Sequence, residues 1–377
     1  MPLKLITTTE NLPAALAASI SPEEKKYIDE LKNRGMPFGV MPHFASLAGP
    51  EKDDPIRRQF IPDPREALPD PFSLDDPLGE CHYRAAPRLV HQYRDRALLL
   101  TTSACAGYCR YCFRRVWMGG KMGNGEWGRG IAALGIGEVE SGEREEAFEK
   151  QDVGDLQRVY DYLRGHAEIR EILLSGGDPL TLSNAKLCEL FQGLRAARPG
   201  ILIRVGTRVP ITDPLRLDSE TIAILNKFRP LRLSVHINHP RELSGGGDAL
   251  DACVSAGIPV HVQTVLLRGI NDTAELLAGL FRDCLDLGLT PYYLFQLDLA
   301  PGTAHFRVPL TQGLAIYRQL AARISGLGLP AYALDLPGGG GKIRLHENVI
   351  CGERVTDAGR IYVLKDASGR EWGYPAE

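Results

Sequence analysis

Residues 97–115 read ALLLTTSACAGYCRYCFRR. An apolar run of strand length, Ala97–Thr102, ends in a polar turn. That turn carries Cys105, Cys109 and Cys112 at C-x3-C-x2-C spacing. A disulfide would leave one thiol over. Zinc usually takes a fourth protein ligand, and no nearby Cys or His stands at zinc spacing. Three thiolates on one short loop suit a four-iron cluster with one iron left open to a substrate or cofactor. Phe113-Arg114-Arg115 then sets positive charge beside a centre of net negative charge. Cys81, Cys188, Cys253, Cys284 and Cys351 stand singly, as small buried hydrophobes do.

Working outward, strand-like runs follow at Glu171–Ser175, Ile201–Gly206, Leu231–His236, Val260–Leu266 and Pro291–Gln296. They recur about every 30 residues with helical patterns between them, such as Ser219–Phe228 and Ala274–Leu287, which is the period of a βα unit. Polar residues collect just after the runs: Ser175-Gly176-Gly177-Asp178, Thr207-Arg208, His236 to His239, and Gln296 to Asp298. Chemistry gathered at the carboxyl ends of successive strands marks the mouth of a barrel-type enzyme. Residues 1–90 differ. They are proline-rich, with a helical piece at Pro22–Arg34 and an extended look over Pro62–Pro77. The stretch from Met118 to Gly142 holds nine glycines and reads as a loop or insertion within residues 117–150.

Composition narrows the class. The 377 residues carry 44 Lys plus Arg against 47 Asp plus Glu, so no charge excess favours nucleic acid or a membrane surface. No apolar run reaches the roughly 20 residues of a membrane span. The first residues lack a secretory apolar stretch, and eight cysteines are too sparse for a disulfide scaffold. The expectation is a soluble, cytoplasmic protein.

The cysteine motif after the first strand and GGD after the second resemble the radical S-adenosylmethionine superfamily. A narrower match is Asp335-Leu-Pro-Gly-Gly-Gly-Gly-Lys342, which resembles the DxPGGGGK segment of the lysine 2,3-aminomutase family. HQYRDRALLLTT (91–102), LLSGGD (173–178), HINHP (236–240), VQTVLLRGIND (262–272), PYYLFQLDL (291–299) and AHFRVP (304–309) match in order. A nucleotide P-loop is excluded at Lys342. It needs Gly six residues earlier and Ser or Thr next, where Leu336 and Ile343 stand.

The resemblance implies an α/β fold: a partial (β/α)6-type radical SAM barrel over 91–310, an N-terminal helical extension over 1–90, and a short C-terminal segment, 311–377, carrying the key lysine. It implies that Cys105, Cys109 and Cys112 ligate a [4Fe-4S] cluster, and that Ser175, Gly176, Gly177 and Asp178 sit beside S-adenosylmethionine. By the same match Lys342 is the catalytic lysine and carries pyridoxal 5'-phosphate (PLP), Arg96 holds its phosphate, and Gln263 lines its pocket. Arg114 is placed on the substrate carboxylate, and Asp298 and Asp335 on the ε-ammonium of lysine. Paired acids disfavour glutamate, whose second carboxylate would meet uncompensated repulsion.

The implied activity is the interconversion of α-lysine and β-lysine, an isomerase reaction fed by an external electron donor of flavodoxin or ferredoxin type. The alternatives are a related aminomutase supplying β-lysine for elongation factor P, or one acting on another basic amino acid. The family's C-terminal cysteine cluster is missing and Thr273 stands where its barrel cysteine would be, so zinc is not supported. A homo-oligomer remains compatible with the sequence.

Overall fold

The computed structural model describes residues 4–31, 37–115, 155–346, 349–366 and 368–376. The glycine-rich insertion expected over 117–150 lies outside them. Ten strands form one sheet in sequence order: β1 (Arg84–Ala86), β2 (Leu89–Tyr93), β3 (Arg96–Thr102), β4 (Glu171–Gly176), β5 (Leu202–Thr207), β6 (Leu231–His236), β7 (Val260–Val265), β8 (Thr290–Phe295), β9 (Ala331–Leu336) and β10 (Gly341–Arg344). Strands β3 through β9 run parallel. Antiparallel strands close both edges. The six runs expected from sequence are β3 to β8; β9 adds a further parallel strand. The sheet therefore begins before residue 91 and continues past residue 310.

Every second side chain along a strand behaves alike, as the pleat requires. Ile172 and Leu174 on β4, and Ile203 and Val205 on β5, are fully buried under the crossover helices. Their alternates Leu173, Ser175, Arg204 and Gly206 line one cavity. The same cavity touches residues from β2 to β10. Laid flat, ten strands spaced about 4.8 Å apart would span about 43 Å, so the sheet must curl around the cavity.

The crossover helices begin on strong caps. Ser183 accepts from Lys186 N–H to start the helix Asn184–Ala197, and Asp218 accepts from Thr221 N–H at 2.8 Å before Ser219–Lys227. Thr273, where a zinc cysteine was sought, caps the helix Ala274–Asp286 through Leu276 N–H. Downstream, Gly352–Thr356, Gly359–Lys365 and Glu371–Pro375 form a separate three-stranded antiparallel sheet.

The N-terminal extension is built onto the cysteine loop rather than merely packed nearby. Its helix Pro22–Leu31 supplies Glu24, which pairs with buried Arg57 at 2.8 Å. The segment read as extended, Pro62–Pro77, is broken by a 3-10 turn at Pro64–Ala67. Asp63 and Glu66 form a capping box there, and this local hydrogen bonding overrides the proline signal. Glu66 is fully buried and accepts from Arg110 Nε at 2.9 Å and Nη2 at 2.6 Å, and from Arg115 as well. Burial alone would raise its pKa, but the two guanidiniums outweigh burial and hold it below the usual carboxylate range. Glu66→Gln leaves two buried cations uncompensated and should cost about 3–5 kcal/mol. Chemical denaturation of the apoprotein checks this, and an unchanged midpoint would contradict it.

Candidate active site

Strand β3 ends at Thr102, and the cysteine loop that follows is held from behind by the extension. Tyr108 N–H donates to Gly39 O, and Arg110 N–H donates to Gln59 O, each at 2.9 Å. Cys112 N–H donates to Cys109 O at 3.1 Å, folding the last two cysteines back on each other. On the other side, Gly177 lies so close that a Cβ there would sit 2.0 Å from Ala104 O. Gly176 adopts φ +112°, and a Cβ on it would meet Thr102 O at 2.7 Å. The two glycines thus let the β4 loop close onto the cysteine loop.

Burial pushes the Cys112 thiol up to about 11 and Cys105 well above its usual range, with the neighbouring cysteines adding to both shifts. Arg208, at the end of β5, donates to Cys109 Sγ at 2.9 Å. Its other nitrogen reaches Gln59 Oε1 at 2.5 Å and Glu242 at 3.3 Å. Among the described residues no three His, Cys, Asp or Glu side chains converge as one metal ion requires. A cluster needs no such convergence, because each iron takes one thiolate and the sulfurs spread around a body. Three half-buried thiols on one loop, with a guanidinium donor beside them, fit that group.

Asp178 differs from its expected role beside a ligand. Its Oδ1 accepts from Thr207 Oγ1 at 2.7 Å and Leu180 N–H at 3.0 Å. Its Oδ2 accepts from Arg208 N–H at 2.6 Å and Val209 N–H at 3.2 Å. Both oxygens are saturated, so the carboxylate braces β4 to β5 and only backbone at this turn is left to meet a ligand.

The cavity measures about 490 Å³, ample for a cofactor-sized ligand. Lys342 enters it from β10. The hairpin between β9 and β10 turns through Gly338, Gly339 and Gly341, all at positive φ (71°, 95° and 79°), which only glycine adopts cheaply. Its register sets Lys342 directly opposite Asp335, and Lys342 Nζ donates to Asp335. The ammonium also lies 4.1 Å from the centre of the Phe295 ring, while Lys342 N–H donates to Tyr93 OH at 2.8 Å.

Arg96 and Gln263 both line this cavity, with Arg96 stacked 3.8 Å over Tyr93 and paired to Asp95 at 2.9 Å. Arg204 stands in the same wall, 2.5 Å from Glu171, and among the described residues its buried Nε has no hydrogen-bond partner. A lysine amine, an aromatic wall and unsatisfied guanidinium N–H fit an aldehyde cofactor bearing a phosphate.

Arg114, Asp298 and Asp335 line the cavity as well. Burial, together with the second charge on Asp335, pushes the Asp298 carboxyl up to about 8, against the pull of Lys342 and Arg114. Both acids thus face one cavity and act on each other electrostatically. Arg114 is held by Glu80, with Nη2 donating to Oε1 at 2.5 Å, and its Nη1 donates to Ser175 Oγ at 3.0 Å.

Glu80, Arg204 and Gln59 were not singled out from sequence, and Arg208 was marked only as a polar residue at the end of its strand. Arg204 sits at an inward position of β5, a signal that strand alternation offers. Glu80 and Gln59 sit in irregular extension segments with no periodicity to mark them.

No protein-family model matches the chain. A Treponema pallidum relative, provisionally named an L-lysine 2,3-aminomutase, is 45% identical over 77% of this chain and 75% of its own. The L-lysine 2,3-aminomutase of Bacillus subtilis is 35% identical over 92% of this chain and 67% of its own. The glutamate 2,3-aminomutase of Clostridioides difficile is 32% identical over 87% and 71%. Among solved structures, Streptococcus suis SuiB bound to S-adenosylmethionine superposes at TM-score 0.42, with 10% identity over 66% of this chain and 52% of that one, too slight a likeness to argue from. With a shared ladder of sequence across most of both chains, this protein belongs to the lysine 2,3-aminomutase family.

Proposed function

We propose that the protein interconverts L-α-lysine and β-lysine, using S-adenosylmethionine, a [4Fe-4S] cluster and PLP in a partial radical SAM barrel. When bound, these groups supply a hydrogen-abstracting radical and a ring that carries the migrating nitrogen. Cys105, Cys109 and Cys112 would hold the cluster, and backbone at Ser175 to Asp178 would meet S-adenosylmethionine. Lys342 would anchor PLP, with Arg96, Gln263 and the unsatisfied Arg204 toward its phosphate. An external electron donor would reduce the cluster. Among the described residues no helix is long and apolar enough to cross a membrane.

The observation that carries the substrate assignment is the polarity of one cavity. Arg114 offers a guanidinium to a carboxylate, while Asp298 and Asp335 offer two acids to a cation. Lys342's own ammonium rests on Asp335 here. With that nitrogen committed to the cofactor, Asp335 is free to join Asp298 around the substrate's ε-ammonium. That cation draws the Asp298 proton off, since an adjacent positive charge favours the carboxylate. A second carboxylate in the same place would be repelled, which separates lysine from glutamate.

Asp298→Asn is the cleaner variant, because Asp335 also touches Lys342. A charge-assisted contact is worth about 1.5–3 kcal/mol, so kcat/KM for lysine should fall about 10- to 150-fold. Iron content and the PLP absorption should be unchanged. Kinetics with lysine, norleucine and glutamate check it. Undiminished lysine turnover in Asp298→Asn, with another amino acid the better substrate of the unaltered enzyme, would remove the lysine assignment.

A further inference from the structure

Arg114 has five N–H donors, and the protein already commits three of them. Glu80 takes Nε at 3.2 Å and Nη2 at 2.5 Å, and Ser175 Oγ takes one hydrogen of Nη1 at 3.0 Å. Among the described residues one hydrogen on each terminal nitrogen has no partner, and with Ser175 on the inner hydrogen of Nη1 those two form the end-on fork that binds a carboxylate in two parallel hydrogen bonds. The Arg114 and Glu80 side chains are only 10% and 13% exposed.

Glu80 is itself fixed to the hairpin that carries Lys342. Its N–H donates to Asp76 Oδ1 at 3.0 Å, and Gly338 N–H in the hairpin donates to Pro77 O at 2.9 Å. Gly79 presses so closely on the hairpin that a Cβ there would lie 2.7 Å from the Gly338 carbonyl carbon. Tyr83 OH donates to Gly339 O at 2.7 Å. A single strap, residues 76–83, thus ties the guanidinium at one end of the cavity to the lysine hairpin at the other.

We propose that Glu80 is a positioning residue for the substrate: it holds Arg114 side-on, aims its end-on fork at the substrate carboxylate, and keeps it off Asp298. This rests on the reading of Arg114 as the carboxylate partner. Two effects of Glu80 oppose each other. Its charge offsets that of Arg114 and weakens the pull on a carboxylate. Against this, Arg114 and Asp298 already attract each other across the cavity. A guanidinium released from Glu80 would swing toward that acid, losing its aim and neutralising the ammonium site together. In a cavity poor in water the second effect outweighs the first.

The test compares L-lysine with L-lysinamide, in which a neutral amide with one acceptor oxygen replaces the carboxylate, in the reconstituted full-length enzyme and in Glu80→Ala and Glu80→Gln. The unaltered enzyme should prefer lysine strongly. In Glu80→Ala the lysine KM should rise about 10- to 100-fold with a smaller fall in kcat, and the lysine-to-lysinamide preference should shrink at least about 10-fold. Glu80→Gln fills the same space and keeps the comparison open should the alanine variant not fold. A purely structural role would lower iron and PLP content while leaving that preference intact. An unchanged or increased preference at full cofactor load overturns the proposal. Absence of any lysine preference in the unaltered enzyme would instead overturn the Arg114 reading.

Discussion

Cys109→Ala will abolish the iron–sulfur centre: iron and acid-labile sulfide should fall from about four each per chain to near zero after anaerobic reconstitution. Two thiolates do not retain a four-iron body, and cleavage of S-adenosylmethionine should drop to background. The loss extends beyond one ligand. Cys109 Sγ is where Arg208 donates at 2.9 Å, within a buried network that also includes Gln59 and Glu242. Cys351, exposed and remote in sequence, is the control, and Cys351→Ala should retain full iron content. Iron analysis and the visible absorption of the reduced and oxidised protein read the result. Full iron loading with undiminished cleavage in Cys109→Ala would remove the cysteine loop from the chemistry.

Lys342→Ala should stop the rearrangement and also end covalent capture of PLP. Borohydride reduction of the PLP-loaded protein, followed by peptide mass analysis, should place the adduct on Lys342 in the unaltered enzyme and on no lysine in the variant. The iron centre should survive, because among the described residues the hydrogen bonds of Lys342 go to Tyr93 and Asp335 and none to the cysteine loop. Slow reductive cleavage of S-adenosylmethionine should therefore persist. An adduct of equal yield on another lysine, with turnover preserved, would relocate the anchor. The variant also removes the cation paired with Asp335. Asp335 would lose its ion-pair partner and Asp298 one of the two cations that draw off its proton, which disfavours charging both acids.

Elements with a strong local signal were legible in the sequence. The runs at 97–102, 171–175, 231–236 and 260–266 alternate or cluster β-branched residues, and each became a strand within a residue or two. Ala274–Leu287 carries a helical stripe behind a Thr cap and became Ala274–Asp286. Strand β9 was passed over because its residues, AYALDL, run straight into the glycine turn that drew attention to Lys342. The glycines at 176 and 177 were legible as special, but their second neighbour was not. They accommodate the backbone of residues 102–104, a contact between two loops that no local pattern encodes.

The same limit explains the residues missed around the site. Arg208 meets Gln59 across 149 positions of sequence, and Glu80 meets Arg114 across 34. The extension looked like packing because proline-rich segments carry no period, whereas its buried acids Glu24 and Glu66 neutralise arginines that shape the core and the cysteine loop. Asp335 was singled out from the sequence by resemblance, as a partner for the substrate ammonium. Its pairing with Lys342 follows from hairpin register, which the residue types alone leave open.

The measurement that bears most directly on the account is product analysis under strictly anaerobic conditions. The protein is reconstituted with iron, sulfide and PLP, given S-adenosylmethionine and a reductant, and incubated separately with L-lysine and L-glutamate. Products are identified by chromatography against standards and by mass, using lysine labelled with ¹⁵N at C2. The account predicts β-lysine with the label moved to C3, and no β-glutamate. Formation of β-glutamate from glutamate, or no rearrangement of lysine at full iron and PLP loading, would contradict it.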